Sequence, residues 1–307
     1  MFQLPKLRVG TPAKHANLTV IPLYADDLAT GDYLLSETAL ADGTAVVEEV
    51  TESGSVPQLS VVVTAEKPVL FLEGEELRGA KQNRILNTSV LIAAKSKSVL
   101  PVSCVEQGRW RYAGKHFGHS GTHASPKMRR VLKESVTNTA KAGDGHSSDQ
   151  SAVWSEVSRQ MHSHKSSSMT MAMSDTYDGM KDSLADYQSN IICPEGAIGL
   201  AAVVGGIVVS VDVFDSPETC KKVWPRVLTG LAMDALESQP TELEPDIDAA
   251  LEQFRAGPWE AVPAAGMGEE YRSGTAGRTA HGSALANGGH LIHGSMVFPE
   301  AEPAVVV

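Results

Sequence analysis

The sequence predicts an α+β fold in which strand-rich N- and C-terminal parts share one core, with a helical block at about 126–190. Short apolar runs between turn residues fill the first 125 residues and return after Pro194, whereas helical periodicity prevails between them. The chain has 307 residues, 42% hydrophobic and 21% charged, which is enough to bury a sizeable core. We expect a single domain over residues 1–300, with the helical block as an insertion and 301–307 as a frayed tail.

The N-terminal part is predicted to consist of strands joined by turns. Apolar and β-branched runs alternate with turn sequences such as ESGSVP and AEKP. The predicted strands are NLTVIPLY, TAVVEEV, LSVVV, VLFLEG, TSVLIAA and VLPVSCVE. A short helix in SETALADG is expected to end at Gly43, and KSKSV is expected to form a tight turn.

The helical block predicts three helices. PKMRRVLKESV has apolar residues at helical spacing and basic residues on the opposite face. The second helix is predicted to begin at a capping box formed by Ser147 and Gln150, and SDTYDGMKDSLADYQ predicts the third.

The C-terminal part is predicted to return to strands. AIGLAAVVGGIVVSVDVF predicts two strands joined by the two-residue turn Gly205 and Gly206. A helix is expected from about Pro217 to Leu236, followed by a solvated amphipathic helix in the acidic segment ESQPTELEPDIDAALEQF. The Gly-rich last fifty residues predict a pair of short strands with a polar loop.

Charge and cysteine content exclude several classes of protein. The 26 Lys and Arg against 37 Asp and Glu give a net charge of -11, which disfavours binding along a nucleic-acid backbone. No apolar run has the roughly 20 residues of a membrane helix, and the start MFQLPKLRVG has no apolar core of signal-peptide length, so we expect a cytoplasmic protein. Cys104, Cys193 and Cys220 are too few for a disulfide framework and are expected to be free thiols.

Two common catalytic motifs are missing from the sequence. Neither the phosphate-binding pattern GxxxxGK[ST] nor the nucleophile-elbow pattern GxSxG occurs, and nothing identifies a cofactor. The loop AGKHFGHSGTHASP holds His116, His119 and His123 at a spacing that can hold a metal if the loop folds suitably. No carboxylate or cysteine joins them, so a polar loop is favoured over a metal site.

The end of one predicted strand carries a thiol beside charged groups. VLPVSC ends at Cys104, and Glu106, Arg109 and Trp110 follow within a few residues. Positions 104 and 106 of a strand point to the same face, and Arg109 could lower the pKa of the thiol. Packing at a strand end is the alternative interpretation of Cys104.

A second polar stretch, EGEELRGAKQNRILN, lies between two apolar runs. Glu73 and Glu75 alternate on one face as a strand ends, and neighbouring carboxylates raise each other's pKa, which suits acid–base chemistry. Lys81 and Arg84 add donors that suit a phosphate, while carboxylates accept hydrogen bonds from sugar hydroxyls. The same residues also fit a salt-bridged turn that closes a hairpin, and spacing alone leaves both interpretations open.

The segments EGEELRGAKQNRILNTSVLIAA and SVLPVSCVEQGRWRY resemble the bacterial family of ARG and rhodanese-phosphatase-superfamily-associated proteins. The resemblance continues through VDVFDSPETCKKVW and GEEYRSGTAGRTAHGSAL, so it covers nearly the whole chain and is loosest in the helical block. It implies one family-wide domain and a role in handling NAD-derived or ADP-ribose-containing metabolites. The family's polar signature falls here on Glu73, Glu75, Lys81, Gln82, Asn83, Arg84, Cys104, Glu106, Arg109, Trp110, Glu270 and Arg272.

The resemblance implies an enzyme, with hydrolysis of an ADP-ribose-like or other phosphorylated ribose compound as the leading hypothesis. The catalytic candidates are Glu73, Glu75, Cys104 and Glu106. The candidates for substrate binding are Lys81, Gln82, Asn83, Arg84, Arg109, Trp110, Glu270 and Arg272. The alternatives are a non-catalytic ligand-binding or self-assembling protein, for which a homo-oligomer is suitable, and a His-dependent metalloenzyme.

Overall fold

The computed structural model describes residues 2–239, 244–274 and 279–299. Its helices are α1 Ser36–Ala41, α2 Pro126–Ala142, α3 Gln150–Ser163, α4 Met173–Gly179, α5 Lys181–Asn190, α6 Pro217–Glu237 and α7 Ile247–Ala256. Its strands are β1 Arg8–Val9, β2 Ala13–His15, β3 Leu18–Tyr24, β4 Leu34–Leu35, β5 Ala45–Glu49, β6 Gln58–Val63, β7 Val69–Phe71, β8 Glu75–Gly79, β9 Arg84–Leu86, β10 Val90–Ile92, β11 Ser96–Cys104, β12 Phe117–His123, β13 Gly199–Val204, β14 Ile207–Phe214, β15 Glu260–Val262, β16 Glu269–Ser273, β17 His281–Asn287 and β18 His290–Val297.

The largest sheet joins the two ends of the chain. Its strands follow the order β1-β3-β13-β14-β18-β17-β16-β15, with β2 paired to β3. The N-terminal strand β3 pairs antiparallel with β13, so Leu200 lies opposite Pro22. Because apolar residues of β3 and β13 occupy the same buried clusters, the predicted shared core of the two terminal parts is confirmed.

A closed barrel of six strands stands beside this sheet, in the order β11-β6-β5-β12-β8-β9. Successive side chains of a strand point to opposite faces, so every second residue faces the barrel interior. Val47, Val61, Leu86 and Val102 form part of the apolar cluster in the barrel. A further sheet of three strands, β10-β7-β4, includes the parallel pairing of β4 with β7.

Two long helices connect the barrel to the large sheet. Helix α6 contacts β12 of the barrel and β13 and β14 of the sheet, while α2 contacts β15 to β18. Helix α2 begins where the Ser125 side chain accepts a hydrogen bond from the amide of Met128, with Pro126 at its first position, and ends at Gly143 in the left-handed conformation. No helix in the described ranges is long and apolar enough to cross a lipid bilayer.

The helical block contains α2 to α5, as expected for about 126–190, but two of its details differ from the prediction. Asp149, rather than Ser147, caps α3 by accepting hydrogen bonds from the amides of Ser151 and Ala152. Gln150 is not part of a capping box, because its side chain bonds to the backbone of Cys104. The predicted third helix is divided into α4 and α5 at Met180.

Other sequence expectations are corrected outside the helical block. KSKSV is mostly strand, because β11 begins at Ser96 and the turn is confined to its start, where Lys95 has φ of 51°. The described part of the C-terminal region holds four strands, β15 to β18, instead of a pair. The acidic segment is helical over α7, while 240–243 and the predicted tail 301–307 lie outside the described residues.

Substitution of Gly230 tests the packing of α6 against the end of β12. A Cβ atom at Gly230 would lie 2.6 Å from the carbonyl oxygen of Ala124 and 2.9 Å from that of His123. We expect Gly230→Ala to lower the free energy of unfolding by about 1–3 kcal/mol, because the added methyl group would clash with these carbonyl oxygens. This loss is expected although alanine stabilises a helix by ~1 kcal/mol relative to glycine. Urea unfolding measures the change. Gly179→Ala in α4, where a Cβ meets nothing within 4 Å, is the control, and equal stability of the two variants would contradict this packing.

Candidate functional site

One end of the barrel interior is polar. By alternation from Val47, Leu86 and Val102, the inward positions at this end are Glu49, Arg84 and Cys104, and side-chain bonds connect them. Arg84 Nη2 lies 3.7 Å from Glu49 Oε1. Arg84 Nη1 and the Cys104 thiol both donate to Gln82 Oε1, at 3.2 Å and 3.1 Å. We call the end formed by Glu49, Lys81, Arg84, Cys104, Trp110 and Tyr112 the barrel mouth.

The charged pair at the barrel mouth has unused hydrogen-bonding capacity. The side chain of Arg84 is fully buried, yet Nε and Nη2 have no hydrogen-bond partner among the described residues. Glu49 Oε2 is likewise buried without a partner in those ranges. Buried donors and acceptors normally find partners, so this pair has the groups to engage a further molecule.

Aromatic rings cover the charged pair. Lys81 Nζ lies 5.4 Å from the ring centre of Trp110 and 5.1 Å from that of Tyr112, and the Arg84 guanidinium lies 5.9 Å from the Trp110 ring. Trp110 and Tyr112 remain 50% and 49% exposed. The mouth therefore combines cations with two accessible ring surfaces.

A cavity of about 560 Å³ adjoins the barrel mouth and shares Glu49 and Tyr112 with it. This volume is in the range of pockets that hold small organic ligands. Its lining residues are Glu48, Glu49, Thr51, Glu52, Tyr112, Gly114 and Lys115. Carboxylates therefore line the cavity, and Glu49 connects it to Arg84 in the mouth.

The Cys104 thiol is not activated by Arg109. Burial raises the pKa of the thiol, and this effect exceeds the opposing effect of Arg84, so the thiol stays protonated and donates to Gln82. Arg109 instead makes two short bonds with the carboxylate of Glu106, at 2.8 Å and 2.6 Å, and donates to the carbonyl of Ala80. The expectation that Arg109 would lower the thiol pKa is therefore wrong.

Glu106, together with Arg109, holds neighbouring loops in place. Although burial raises its pKa, the hydrogen bonds from Arg109 and from the amide of Asn83 hold the pKa below its usual range. Gln82 also donates to the carbonyl of Glu106 at 2.8 Å. Glu106 and Arg109 thus fix the loops on which Gln82 and Asn83 stand.

Glu73 and Glu75 do not share an environment. Glu73 accepts hydrogen bonds from Lys133 at 2.6 Å and Ser283 at 2.8 Å, whereas Glu75 bonds to Arg226 at 2.6 Å. Burial alone would raise the pKa of each, but the adjacent cations lower both pKa values to about 2. The expected mutual raising of the two pKa values is wrong, because each carboxylate has its own cationic partner.

Glu73 belongs to a buried cluster between the barrel, α2 and the large sheet. The three donors of the Lys133 ammonium bond to Glu73, Ser283 and Ser295, at 2.6, 2.5 and 2.8 Å. Arg129 bonds to both oxygens of Asp212, at 3.0 and 2.6 Å. We call Glu73, Arg129, Lys133, Asp212, Glu270 and Arg272 the central ion cluster.

Glu270 and Arg272 complete this cluster on β16. Arg272 donates to Glu270 Oε1 from Nε at 2.9 Å and from Nη2 at 2.6 Å, and Thr88 donates to the same oxygen at 3.0 Å. His146 Nε2 lies 2.9 Å from the other oxygen of Glu270. The charges of the central ion cluster are paired and its side chains are buried, which indicates a structural role.

The segment predicted to be a polar loop is largely strand, because β12 spans Phe117–His123 and pairs with β8. Its histidines have separate neighbours. His116 lies 2.9 Å from Glu48 and His119 lies 3.7 Å from Glu75. His123 is buried, which lowers its pKa to about 3. Among the described residues, no group of three or more His, Cys, Asp and Glu side chains is placed to hold a metal ion.

Comparison with known proteins identifies the family. The sequence model of the ARG and Rhodanese-Phosphatase-superfamily-associated Protein domain (ARPP-1) matches residues 6–297. The chain belongs to the ARPP-1 family. The family name links it to ADP-ribosylglycohydrolases (ARG) and to the rhodanese-phosphatase superfamily. No curated protein and no solved structure matches the chain.

In this ARPP-1 protein, most of the predicted site residues come together at or beside the barrel mouth. They are Lys81, Gln82, Asn83, Arg84, Cys104, Glu106, Arg109 and Trp110. Glu73, Glu270 and Arg272 lie in the central ion cluster, and Glu75 lies with Arg226.

Sequence reasoning missed Glu49 and Tyr112. A detectable signal existed for Glu49, because it alternates with Val47 in the strand AVVEE and so puts a carboxylate at an inward position. Tyr112 follows Trp110 in an irregular loop, and no periodicity indicates where its ring lies.

Replacement of Glu73 tests the central ion cluster. The pKa of about 2 in the folded protein lies below the usual glutamate value of 4.5, so this carboxylate stabilises the fold above pH 4.5, and the contribution is lost as pH falls toward 2. We expect Glu73→Gln to lower the free energy of unfolding at pH 7 by on the order of 3 kcal/mol. The difference from the unmodified protein should shrink between pH 4.5 and pH 2.

Urea unfolding at a series of pH values measures this difference. Glu218→Gln, which removes an exposed carboxylate paired with Lys222, is the control and should change stability little at any pH. A penalty for Glu73→Gln that stays constant from pH 7 to pH 2 would contradict the role of the ionised carboxylate.

Proposed function

We propose that the barrel mouth binds a phosphorylated ribose compound of the ADP-ribose type and that the protein processes metabolites of this class. The observation that carries the proposal is the buried guanidinium of Arg84, in which Nε and Nη2 have no hydrogen-bond partner in the described ranges, although Nη2 lies 3.7 Å from Glu49. A phosphate accepts hydrogen bonds from two nitrogens of one guanidinium at once, and this is a common use of arginine. The family's link to ADP-ribosylglycohydrolases agrees with such a ligand.

The neighbours of Arg84 suit the remaining parts of such a ligand. Lys81 adds a second positive charge for a diphosphate, and the half-exposed rings of Trp110 and Tyr112 offer faces on which a base can stack. Glu48 and Glu52 line the adjoining cavity, where carboxylates accept hydrogen bonds from ribose hydroxyls. Phosphate, base and sugar would each meet a suitable surface.

The proposed reaction is hydrolysis, with Glu49 as the acid–base group. Glu49 Oε2 is buried beside Arg84 and has no partner among the described residues, so it can approach a bound substrate or water. Glu106 is held by Arg109, and the Cys104 thiol is protonated. Glu73 and Glu75, the other carboxylates of the original hypothesis, are engaged in ion pairs with Lys133 and Arg226.

The same engagement of carboxylates favours a second candidate function, that of a non-catalytic binding protein. Of the four catalytic candidates from the sequence, each has a strong partner or an unfavourable protonation state, while the rings of Trp110 and Tyr112 at the mouth remain about half exposed. A self-associating form of this candidate predicts a molecular mass above 32.5 kDa in sedimentation equilibrium. The two candidates share the ligand site and differ in turnover.

Binding is tested by titration calorimetry with ADP-ribose. We expect Arg84→Met to weaken the affinity roughly 10- to 100-fold, because a charge-assisted hydrogen bond contributes about 1.5–3 kcal/mol. Arg84→Lys keeps the charge but loses the bidentate geometry, so its affinity should lie between those of the unmodified protein and Arg84→Met. Arg255→Met on α7 is the matched control and should leave affinity unchanged. Equal loss in both methionine variants, or no binding to the unmodified protein, would refute the site.

Turnover is tested by incubating the protein with NAD, ADP-ribose and an ADP-ribosylated peptide and separating the products by chromatography. If the protein is a hydrolase, Glu49→Gln should lower kcat roughly 10²- to 10⁴-fold and change KM little. Recovery of intact ligand after prolonged incubation, together with binding that depends on Arg84, would select the non-catalytic candidate.

A further inference from the structure

The cavity beside the barrel mouth is lined mainly by acidic side chains. Glu48, Glu49 and Glu52 contribute carboxylates, whereas Lys115 contributes the one ammonium group among the described lining residues. The cavity is therefore negative, in contrast to the mouth, where the cations of the proposed phosphate site stand. A ligand that extends from the mouth into the cavity meets charges of opposite sign at its two ends.

The protein itself neutralises these carboxylates only in part. Glu48 Oε1 lies 3.3 Å from Lys115 Nζ and 2.9 Å from His116 Nδ1. Glu52 has no ion pair within the described ranges, and its backbone carbonyl accepts a hydrogen bond from the Tyr112 hydroxyl at 3.3 Å. A positive group that enters the cavity therefore meets Glu52 without a competing cation from the described part of the chain.

One carboxylate oxygen at the cavity is buried without a hydrogen-bond donor. The Glu49 side chain is 2% exposed, and its Oε1 accepts from the amide of Lys81 at 3.4 Å and lies 3.7 Å from Arg84 Nη2. Oε2 has no hydrogen-bond partner among the described residues, although Glu49 lines the cavity. A positive charge nearby stabilises an ionised oxygen in such a position, and the attraction exceeds that between fully exposed groups.

We propose that the cavity receives a planar cation joined to C1 of the bound ribose, and that the protein selects ligands with such a group over neutral ones. This inference rests on the proposed function, because Arg84 would hold the phosphates of the same ligand. Glu49 contacts Arg84 and lines the cavity, so it stands between the two ends of the ligand. Tyr112 also lines the cavity with a ring that is 49% exposed, and aromatic faces attract cations. A pyridinium ring on the ribose has the required charge and shape.

The carbocyclic analogues of NAD and NADH are the probes, since they resist hydrolysis at C1 and differ by one positive charge on the ring. Titration calorimetry compares their affinities for the full-length protein. We expect the pyridinium analogue to bind roughly 5- to 20-fold more tightly than the dihydropyridine analogue, because it is attracted to partly exposed carboxylates. The ratio of the two affinities should shrink at high salt, since salt screens exposed charges.

Variants that remove single charges locate the preference. Glu48→Gln and Glu52→Gln should each lower the affinity ratio, and the double variant should reduce it to less than about half of its original value. Arg84→Met should weaken the binding of both analogues and leave their ratio unchanged, since both carry the same phosphates. Glu218→Gln, which removes an exposed carboxylate on α6, is the matched control and should keep the ratio of the unmodified protein.

Failure of this inference is distinguishable from failure of the proposed function. Equal affinity for the two analogues in a protein that binds ADP-ribose, or a ratio that the double variant leaves unchanged, would overturn the cation subsite and leave the phosphate site in place. Absence of binding for ADP-ribose and for both analogues would refute the ligand site itself, and the inference with it.

Discussion

The ion pairs of Glu73 with Arg129 and Lys133 are the contacts on which the relative positions of the barrel, helix α2 and the large sheet depend. Glu73 precedes the barrel strand β8, the two cations stand on α2, and their other partners, Asp212, Ser283 and Ser295, belong to the large sheet. Arg129 and Lys133 are four residues apart, so both lie on one face of the helix. A buried charge without a partner costs several kcal/mol, so barrel, helix and sheet are constrained to one relative position.

Two buried cations of the protein illustrate different uses of charge. Lys133 has an acceptor for each of its three donors and stabilises the core. Arg84 is equally buried, but its guanidinium is only partly satisfied within the described residues. Burial lowers the pKa of Arg84, which means that its charge is held at a cost that an anionic ligand would offset. Lys133 and Arg84 therefore differ in how fully their hydrogen bonds are satisfied, although both are buried cations.

Much of the fold could be predicted from local sequence patterns. Apolar runs identified the barrel strands β5, β6 and β11 but not β8, β9 and β12, and the turn at Gly205 and Gly206 located the hairpin of β13 and β14. Long-range contacts account for the errors. The side chain of Gln150 bonds to the backbone of Cys104 on another element, and no pattern near the start of α3 indicates that contact.

The candidate site was predictable in part for the same reason. Lys81, Arg84 and Trp110 lie on segments adjoining barrel strands whose ends meet, so their convergence follows from the strand pattern once the barrel closes. The partners of Glu73 and Glu75 are distant in sequence, on α2 and α6, and alternation within one strand carries no information about them. Membership of the family located the polar segments without assigning each side chain to the mouth or to the core.

Gly74 determines the directions of the two carboxylates at the start of β8. Its φ of 81° turns the backbone between the two carboxylates, so that one side chain reaches α2 and the next reaches α6. A Cβ at this residue would lie 3.1 Å from the His123 ring, which leaves little room for another residue. A displacement of the start of β8 would therefore disturb the ion pairs with α2 and with α6 together.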